Sequence, residues 1–482
     1  MLGAGLLGSA IPSFAQADEL LSFTVADMSK ALRDRSVSSS ELVMAYLQRI
    51  ENVNPALNAI VQLNAERAIK AARQADAALS QGRLTGPLHG IPMTLKDSID
   101  TKGVTTTYGT LGGRDYIPAQ DATVAARLKA AGAILLGKTN TPEFTLSFET
   151  DNLVYGQTRN PFDSSRSPGG SSGGAAAAVT ASMCAFDIGS DTGGSIRVPS
   201  HCCGTAGLKP SQGRVPRTGH AVSFGGIHDP LTQLGPITRS VRDLDLILRI
   251  IAGPDGVDPF ITQAPLHDFI TISMTGMRVG WHADNKIFSP SADIQAVVTD
   301  SVKALKEAGA LTREVVPAPI PATVTELIDL FVWNADGGAW IQRLLDAAGT
   351  KEAHPAIAAQ ISKDNLLEGG EITRKIEIRD RFRSDMLAFM QDFDVMITPV
   401  TGFTAPLIGE TEDDVHFPGY TYTQVYNLCG LPVVVVRCGT SPDGLPIGVQ
   451  IAAQPWREDM ALAVASHLES TFGGWMPPLI GS

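Results

Sequence analysis

A lysine and two serines carry the chemistry that this sequence suggests. Lys96 closes the run Gly90-Ile-Pro-Met-Thr-Leu-Lys96. Ser171 sits in the turn Pro168-Gly-Gly-Ser171-Ser-Gly-Gly174, and Ser195 in the loop Gly189-Ser-Asp191-Thr-Gly-Gly-Ser195-Ile-Arg197. A serine hydroxyl is a weak nucleophile unless a base takes its proton during attack. Of nine histidines, His89 lies nearest these motifs in sequence, and the others have no acidic partner at a telling spacing. Lysine can be the base when burial or a nearby cation brings its pKa toward neutrality. Lys96 follows the apolar run Ile91 to Leu95, broken only by Thr94, so burial is expected. The competing reading is a strand-end lysine paired with Asp97 or Asp100. Gly193 and Gly194 allow a sharp turn that gathers successive N–H groups, as an oxyanion hole requires; a purely structural turn would use glycines as well.

Two generic motifs compete for the same region. Gly132-Ala-Ile-Leu-Leu-Gly137-Lys138-Thr139 fits the phosphate-loop formula, but its middle residues are themselves an apolar strand and Thr139-Asn-Thr-Pro142 cannot promptly continue as a helix. Gly169-Gly-Ser-Ser-Gly173 fits the nucleophile elbow, which needs a strand immediately before it, whereas Ser164 to Pro168 is turn-forming. Neither reading survives its context.

The elements that must hold these residues alternate between helical and strand periods. Ser38-x-x-Glu41 is a capping box opening a helix over Ser38 to Glu51, with Leu42, Ala45, Tyr46 and Ile50 on one face and Asn54-Pro55 as its stop. Ala122 to Ala131 reads as a helix closed by Gly132, followed by a buried strand over Ala133 to Leu136. The same order recurs at Ala292 to Ala308, Gly309 and Leu311 to Val316. Pro432 to Val436 and Ile447 to Ile451 are further strands, and Glu458 to Glu469 a helix. This alternation predicts an α/β fold whose sheet is covered on both faces. The Pro/Gly-rich stretch Gly253 to Pro265 reads as a surface excursion of one domain.

The 482 residues are 44% hydrophobic and 18% charged, which suits a large core and excludes a disordered or fibrous chain. A net charge of −12, from 38 Lys+Arg against 50 Asp+Glu, argues against a protein that coats nucleic acid. Five cysteines, Cys184, Cys202, Cys203, Cys429 and Cys438, lack metal-ligand spacing and are expected as buried free thiols. Leu2 to Phe14 is apolar and Ala15-Gln-Ala17 resembles a leader-peptidase site, yet the first basic residue is Lys30. Residues 1–17 therefore read either as a truncated secretory leader or as a chance match, leaving the compartment open between cytoplasm and periplasm. No later apolar run is long enough to span a bilayer.

The motifs together resemble the amidase signature family. The resemblance rests on Gly169-Gly-Ser-Ser-Gly-Gly174 and on Gly189 to Arg197, with Ser195 placed 195 − 171 = 24 residues beyond Ser171. It is extended by Gly90 to Asp97, Gly137-Lys-Thr-Asn140, Tyr155 to Pro161, Gly207-Leu-Lys-Pro210 and Gly235-Pro-Ile237, so that it covers about Ser22 to Glu469.

This resemblance implies a single α/β/α domain over residues 22–482, with a large twisted mixed sheet, after an N-terminal extension or leader remnant at 1–21. It implies that Ser195 attacks the amide carbonyl while Ser171, on a cis Gly170–Ser171 peptide, passes its proton toward Lys96. The N–H groups of Thr192, Gly193, Gly194 and Ser195 would form the oxyanion hole, with Ser172, Asp191 and Arg197 bracing the loops. Thr145 and Leu146 would neighbour the substrate, although Leu146 and Phe148 serve equally well as core. Phe331, Trp333 and Trp340 form an aromatic set for a pocket floor or for packing. No metal or organic cofactor is implied. The expected partner is a small amide or carbamate substrate, with no nucleic acid and with a homo-oligomer admissible. The expected activity is hydrolysis of small, partly apolar amides, anilides or carbamates. The alternatives are the glutaminase component of a tRNA-dependent amidotransferase and a catalytically silent binding scaffold.

Overall fold

A computed structural model describes residues 19–328, 335–362 and 366–480. The leader-like residues 1–17, and Phe331 and Trp333 of the aromatic set, lie outside the described residues.

Eight strands form one mixed sheet, in the order β4 (Phe186–Asp191), β6 (Gln233–Thr238), β5 (Ala206–Lys209), β10 (Val433–Thr440), β11 (Pro446–Ala453), β9 (Val395–Pro399), β7 (Arg278–Trp281), β8 (Leu311–Glu314). Pairing is antiparallel from β4 through β9 and parallel from β9 through β8. Three more strands, β1 (Ile60–Leu63), β3 (Ile134–Thr139) and β2 (Pro92–Lys96), make a second sheet in that order. β2 lies beside β4, where Ala185 N–H donates to Pro92 O at 3.2 Å and Thr94 Oγ1 donates to Asp187. That contact brings the carboxyl ends of β2 and β4 together, with Lys96 on one and Ser190-Asp191 on the other.

Helices cover both faces, as the alternation predicts. α1 (Ser39–Leu57), α2 (Thr123–Ala130), α3 (Gly173–Thr180), α4 (Arg197–Cys203), α5 (Val241–Ile251), α6 (Ala292–Glu307), α7 (Thr421–Cys429) and α8 (Glu458–Phe472) are the ones that matter here. α5, α6 and α8 pack on one face of the large sheet, and α3 and α4 on the other. α3 is glycine and alanine throughout its first six residues, all buried, and this small-residue helix lets Ser171 and Ser172 at its entrance approach the strand ends. A Cβ on Gly174 would lie 2.4 Å from Asn140 N, so a larger residue would push that entrance away from β3.

The Ser38/Glu41 capping box forms with both reciprocal hydrogen bonds. The helix does not stop at Asn54-Pro55: α1 continues to Leu57 and ends on Asn58 in the left-handed region at φ 52°. Pro55 falls in the last turn, where losing one N–H donor breaks little of the ladder. Gly132 and Gly309 adopt φ 99° and 94° after their helices, the turn that the helix, glycine, strand pattern requires. All five cysteines are buried and unpaired. No described helix is long and apolar enough to cross a membrane.

Candidate active site

Lys96 is the last residue of β2, and its side chain is fully buried. Its Nζ lies 2.6 Å from Ser171 Oγ, 3.0 Å from Ser172 Oγ and 3.0 Å from Ser190 Oγ. Burial holds its pKa well below the usual lysine value, against the opposing pull of the Asp187 and Asp191 carboxylates.

The strand-end reading, in which Lys96 pairs with Asp97 or Asp100, does not hold. Asp97 turns away and accepts from Thr107 N–H at 3.0 Å and Thr107 Oγ1 at 2.5 Å, while Asp100 accepts from Tyr108 at 2.5 Å. The cation that serves these carboxylates is Lys138. Its ammonium donates to Ile99 O and to Thr101 Oγ1, so the lysine of the phosphate-loop formula is occupied inside the protein.

Ser171 is 1% exposed and follows a cis Gly170–Ser171 peptide. Ser172 N–H donates to Ser195 O at 3.2 Å, which sets the Ser195 backbone beside the Ser171-Ser172 turn. Among the described residues the Ser195 hydroxyl makes no hydrogen bond. The structure therefore joins Lys96 to Ser171 directly, and brings Ser195 alongside through the main chain.

Asp191 anchors the Ser195 loop. Its carboxylate accepts from Gly194 N–H and Ile196 N–H, each at 3.0 Å, from Arg197 Nε at 3.0 Å and Nη2 at 2.8 Å, and from Asn427 Nδ2 at 2.8 Å. Both members of the Asp191–Arg197 pair are fully buried. Burial raises the Asp191 carboxyl, but the Arg197 charge and hydrogen bonds overrule it and hold the group down at about 2. Gly194 N–H is thereby committed to Asp191, whereas the N–H groups of Gly193 and Ser195 have no acceptor among the described residues. Of the four expected oxyanion donors, those two are free to face a ligand.

α7 closes the loop from the other side. Thr423 Oγ1 donates to Gly193 O at 2.8 Å, Arg197 Nη1 donates to Thr423 O at 2.8 Å, and Thr192 and Thr232 share a hydroxyl contact at 2.9 Å.

Thr145, Leu146, Ser147, Phe148, Thr192, Gly193 and Ser195 line a recess of about 20 Å³, roughly the room one water needs. Thr145 and Leu146 are thus brought to Ser195, and Leu146 also packs in an apolar cluster with Phe144 and Ile341. Phe148 stacks on Tyr420 with ring centroids 3.9 Å apart. Thr145 adopts φ 65°, a strained conformation for a β-branched residue that persists only where its surroundings enforce it. Here Glu412 accepts Phe148 N–H at 2.6 Å and Gln360 Nε2 donates to Leu146 O at 2.9 Å. Trp340 lies over Gly225, where a Cβ would come 2.9 Å from its ring.

Sequence reasoning assigned nothing to Ser190, Thr423, Gln424 and Asn427. Ser190 lies inside the Gly189 to Arg197 motif, and its strand-end position beside Lys96 was the available signal. The three residues of α7 follow Ser195 by more than 220 positions, and no spacing rule connects them. His220 was also passed over. Both its ring nitrogens are buried without a partner among the described residues, and burial together with the Lys96 and Arg217 charges holds it well below the usual histidine value. His89, by contrast, bonds Thr85 and Ala75 O on the far side.

The family model described as Amidase matches residues 41–462. The chain belongs to the amidase family. It is accordingly an enzyme, an amidohydrolase acting on carbon–nitrogen bonds. Among relatives of this amidase, the GatA-type component of the glutamyl-tRNA(Gln) amidotransferase of Moorella thermoacetica is 34% identical over 478 residues, covering 94% of this chain and 97% of the relative. An acylamidase of Rhodococcus erythropolis is 34% identical over 460 residues, covering 92% and 94%. A 6-aminohexanoate cyclic dimer hydrolase solved with substrate superposes with a TM-score of 0.85 at 26% identity, covering 94% and 98% of the two chains. A bacterial aryl acylamidase of the amidase signature family superposes at 0.84 and 26% identity, covering 93% and 96%.

Proposed function

We propose that this amidase hydrolyses small, partly apolar amides, with acylamides and anilides foremost and carbamates within reach, through an acyl-enzyme on Ser195. One observation carries the reading: a fully buried lysine whose Nζ sits 2.6 Å from one serine hydroxyl and 3.0 Å from two others. A neutral amine offers two N–H donors and one lone pair. Ser172 Oγ and Ser190 Oγ take the two donors, leaving the lone pair for the Ser171 proton.

The steps follow from that count. The Ser195 hydroxyl attacks the amide carbonyl carbon and gives its proton to Ser171 Oγ, whose own proton passes to Lys96. The negative charge on the carbonyl oxygen meets the N–H groups of Gly193 and Ser195. Collapse breaks the C–N bond as the proton returns through Ser171 to the leaving amine, and the same relay activates water to hydrolyse the ester on Ser195. Asp191, Arg197 and Ser172 hold these groups in register. Apolar walls from Leu146 and Phe148 support a partly apolar substrate.

The alternative is an amidotransferase component that releases ammonia from glutamine beside partner proteins. Identity to such a component and to the acylamidase is 34% in each case, so likeness alone does not rank them. A labelled sulfonyl fluoride or phosphonate should modify Ser195, and Ser195→Ala should abolish turnover while retaining the fold. The purified chain should hydrolyse members of a panel of anilides, primary amides, carbamates and esters. Ordinary activity in Ser195→Ala overturns the nucleophile assignment, and glutaminase activity appearing only with partner proteins favours the alternative.

A further inference from the structure

Gln424 is a buried carboxamide with nothing to bond. It lies on α7, is 1% exposed, and neither its Oε1 nor its Nε2 has a hydrogen-bond partner among the described residues. Buried side-chain amides are nearly always paired, so an orphaned one points to a missing ligand or water. Its position says which. A Cβ built on Gly193 would lie 3.7 Å from Gln424 Cγ and 3.6 Å from Phe148 Cζ, and Gly193 and Phe148 are walls of the recess that holds Ser195. The carboxamide, attached to that Cγ, ends against the same recess. A second orphan sits there too: Thr145 Oγ1 is buried without a partner among the described residues and lines the recess.

A carboxamide presents one acceptor oxygen and two N–H donors and carries no charge. It matches a neutral group with both functions, such as an amide, urea or carbamate, and leaves both its own functions unpaired against a hydrocarbon. Sites built on buried hydrogen-bonding groups discriminate strongly against substrates that lack the partner.

We propose that Gln424 is a specificity-determining residue, whose carboxamide pairs with a second, non-scissile amide, urea or carbamate group of the substrate. The enzyme then favours bifunctional amides over purely hydrocarbon ones. This rests on the reading of Ser195 as the nucleophile.

The test uses the full chain and two p-nitroanilides of matched shape, N-acetylglycyl and 4-methylpentanoyl. The wild type should favour the acetylglycyl compound in kcat/KM. In Gln424→Met, which keeps length and removes hydrogen bonding, that preference should shrink by roughly 10-fold or more. If neither anilide turns over, the same ratio is read from their protection of Ser195 against a labelled phosphonate. An unchanged ratio in Gln424→Met, with Ser195 still labelled, overturns the proposal and leaves Gln424 holding water only. Should Gln424→Met fail to fold, a wild-type preference for the 4-methylpentanoyl compound overturns it equally, and the opposite preference supports it. Failure of Ser195 to label in the wild type instead removes the nucleophile reading beneath it.

Discussion

Replacing Arg197 by methionine should cost both stability and turnover. The guanidinium donates to Asp191 at 2.8 and 3.0 Å, Thr423 O at 2.8 Å, Gln450 Oε1 at 3.3 Å and Asn427 Oδ1 at 2.5 Å, and neither it nor Asp191 is exposed to solvent. Breaking a buried pair from one side leaves an uncompensated charge, which costs roughly 3–5 kcal/mol. A second route gives less: a carboxyl held at about 2 against an ordinary 3.8 corresponds to roughly 2 kcal/mol at neutral pH. The larger figure is the better expectation, because the second counts only the ionisation of Asp191 and none of the bonds to Thr423, Gln450 and Asn427. For 482 residues, an unfolding entropy of ~2.1 cal/mol/K per residue turns this into a fall of roughly 3–5 °C in melting midpoint.

The sign with pH follows from the depressed carboxyl. Its stabilisation is complete above its unfolded value of 3.8 and is lost as pH falls through about 2; Arg197→Met should lose less over that window than the wild type. Turnover should fall as well, because Asp191 also fixes Gly194 and Ile196. Scanning calorimetry and anilide hydrolysis are the assays. An unchanged melting midpoint together with unchanged kcat would refute the claim that this pair holds the Ser195 loop. Asp191→Asn combined with Arg197→Met should recover part of the loss, since no buried charge is then left alone.

Lys96→Met should slow acylation of Ser195 by ~10²–10⁴-fold, and a burst-phase rate equal to the wild type would remove Lys96 from the proton path. Because burial holds this lysine well below its usual value, wild-type kcat/KM should rise with pH as the amine loses its proton and level off below the ordinary lysine range. A flat profile from mildly acidic to alkaline pH contradicts a neutral base. Gly194 and Gly193 should respond differently to alanine. Gly194, at φ 137° with Thr423 Oγ1 only 2.5 Å from a new Cβ, should lose activity through a displaced loop. Gly193, whose new Cβ meets only ordinary contacts at 3.6 and 3.7 Å, should keep its melting midpoint and alter KM. Equal effects of the two on melting and turnover would contradict the loop geometry.

Much of this arrangement is legible in the sequence, and for a physical reason. Lys96, Ser171 and Ser195 sit in short glycine-bearing segments whose turns are dictated locally, and local rules are what a sequence displays. The helix, glycine, strand repeats at Gly132 and Gly309 are readable for the same cause. Pro55 misleads because a proline in a final turn looks, in sequence, like one in a helix interior. Asp97 misleads because adjacency to Lys96 suggests pairing, and only the turn after β2 sends it to Thr107. Gln424 and Asn427 carry no local mark, since their importance arises from packing across the whole fold.

The distance between Arg197 and its partners has a consequence for biosynthesis. Thr423, Asn427 and Gln450 lie 226, 230 and 253 residues downstream. A polypeptide still emerging from the ribosome, with Ser195 long since made, has no clamp for the loop around it. Competence for hydrolysis therefore arrives only when the carboxyl-terminal portion has been synthesised and has docked, and chains cut short before residue 421 should be inert even though every residue of the Lys96, Ser171, Ser195 set is present.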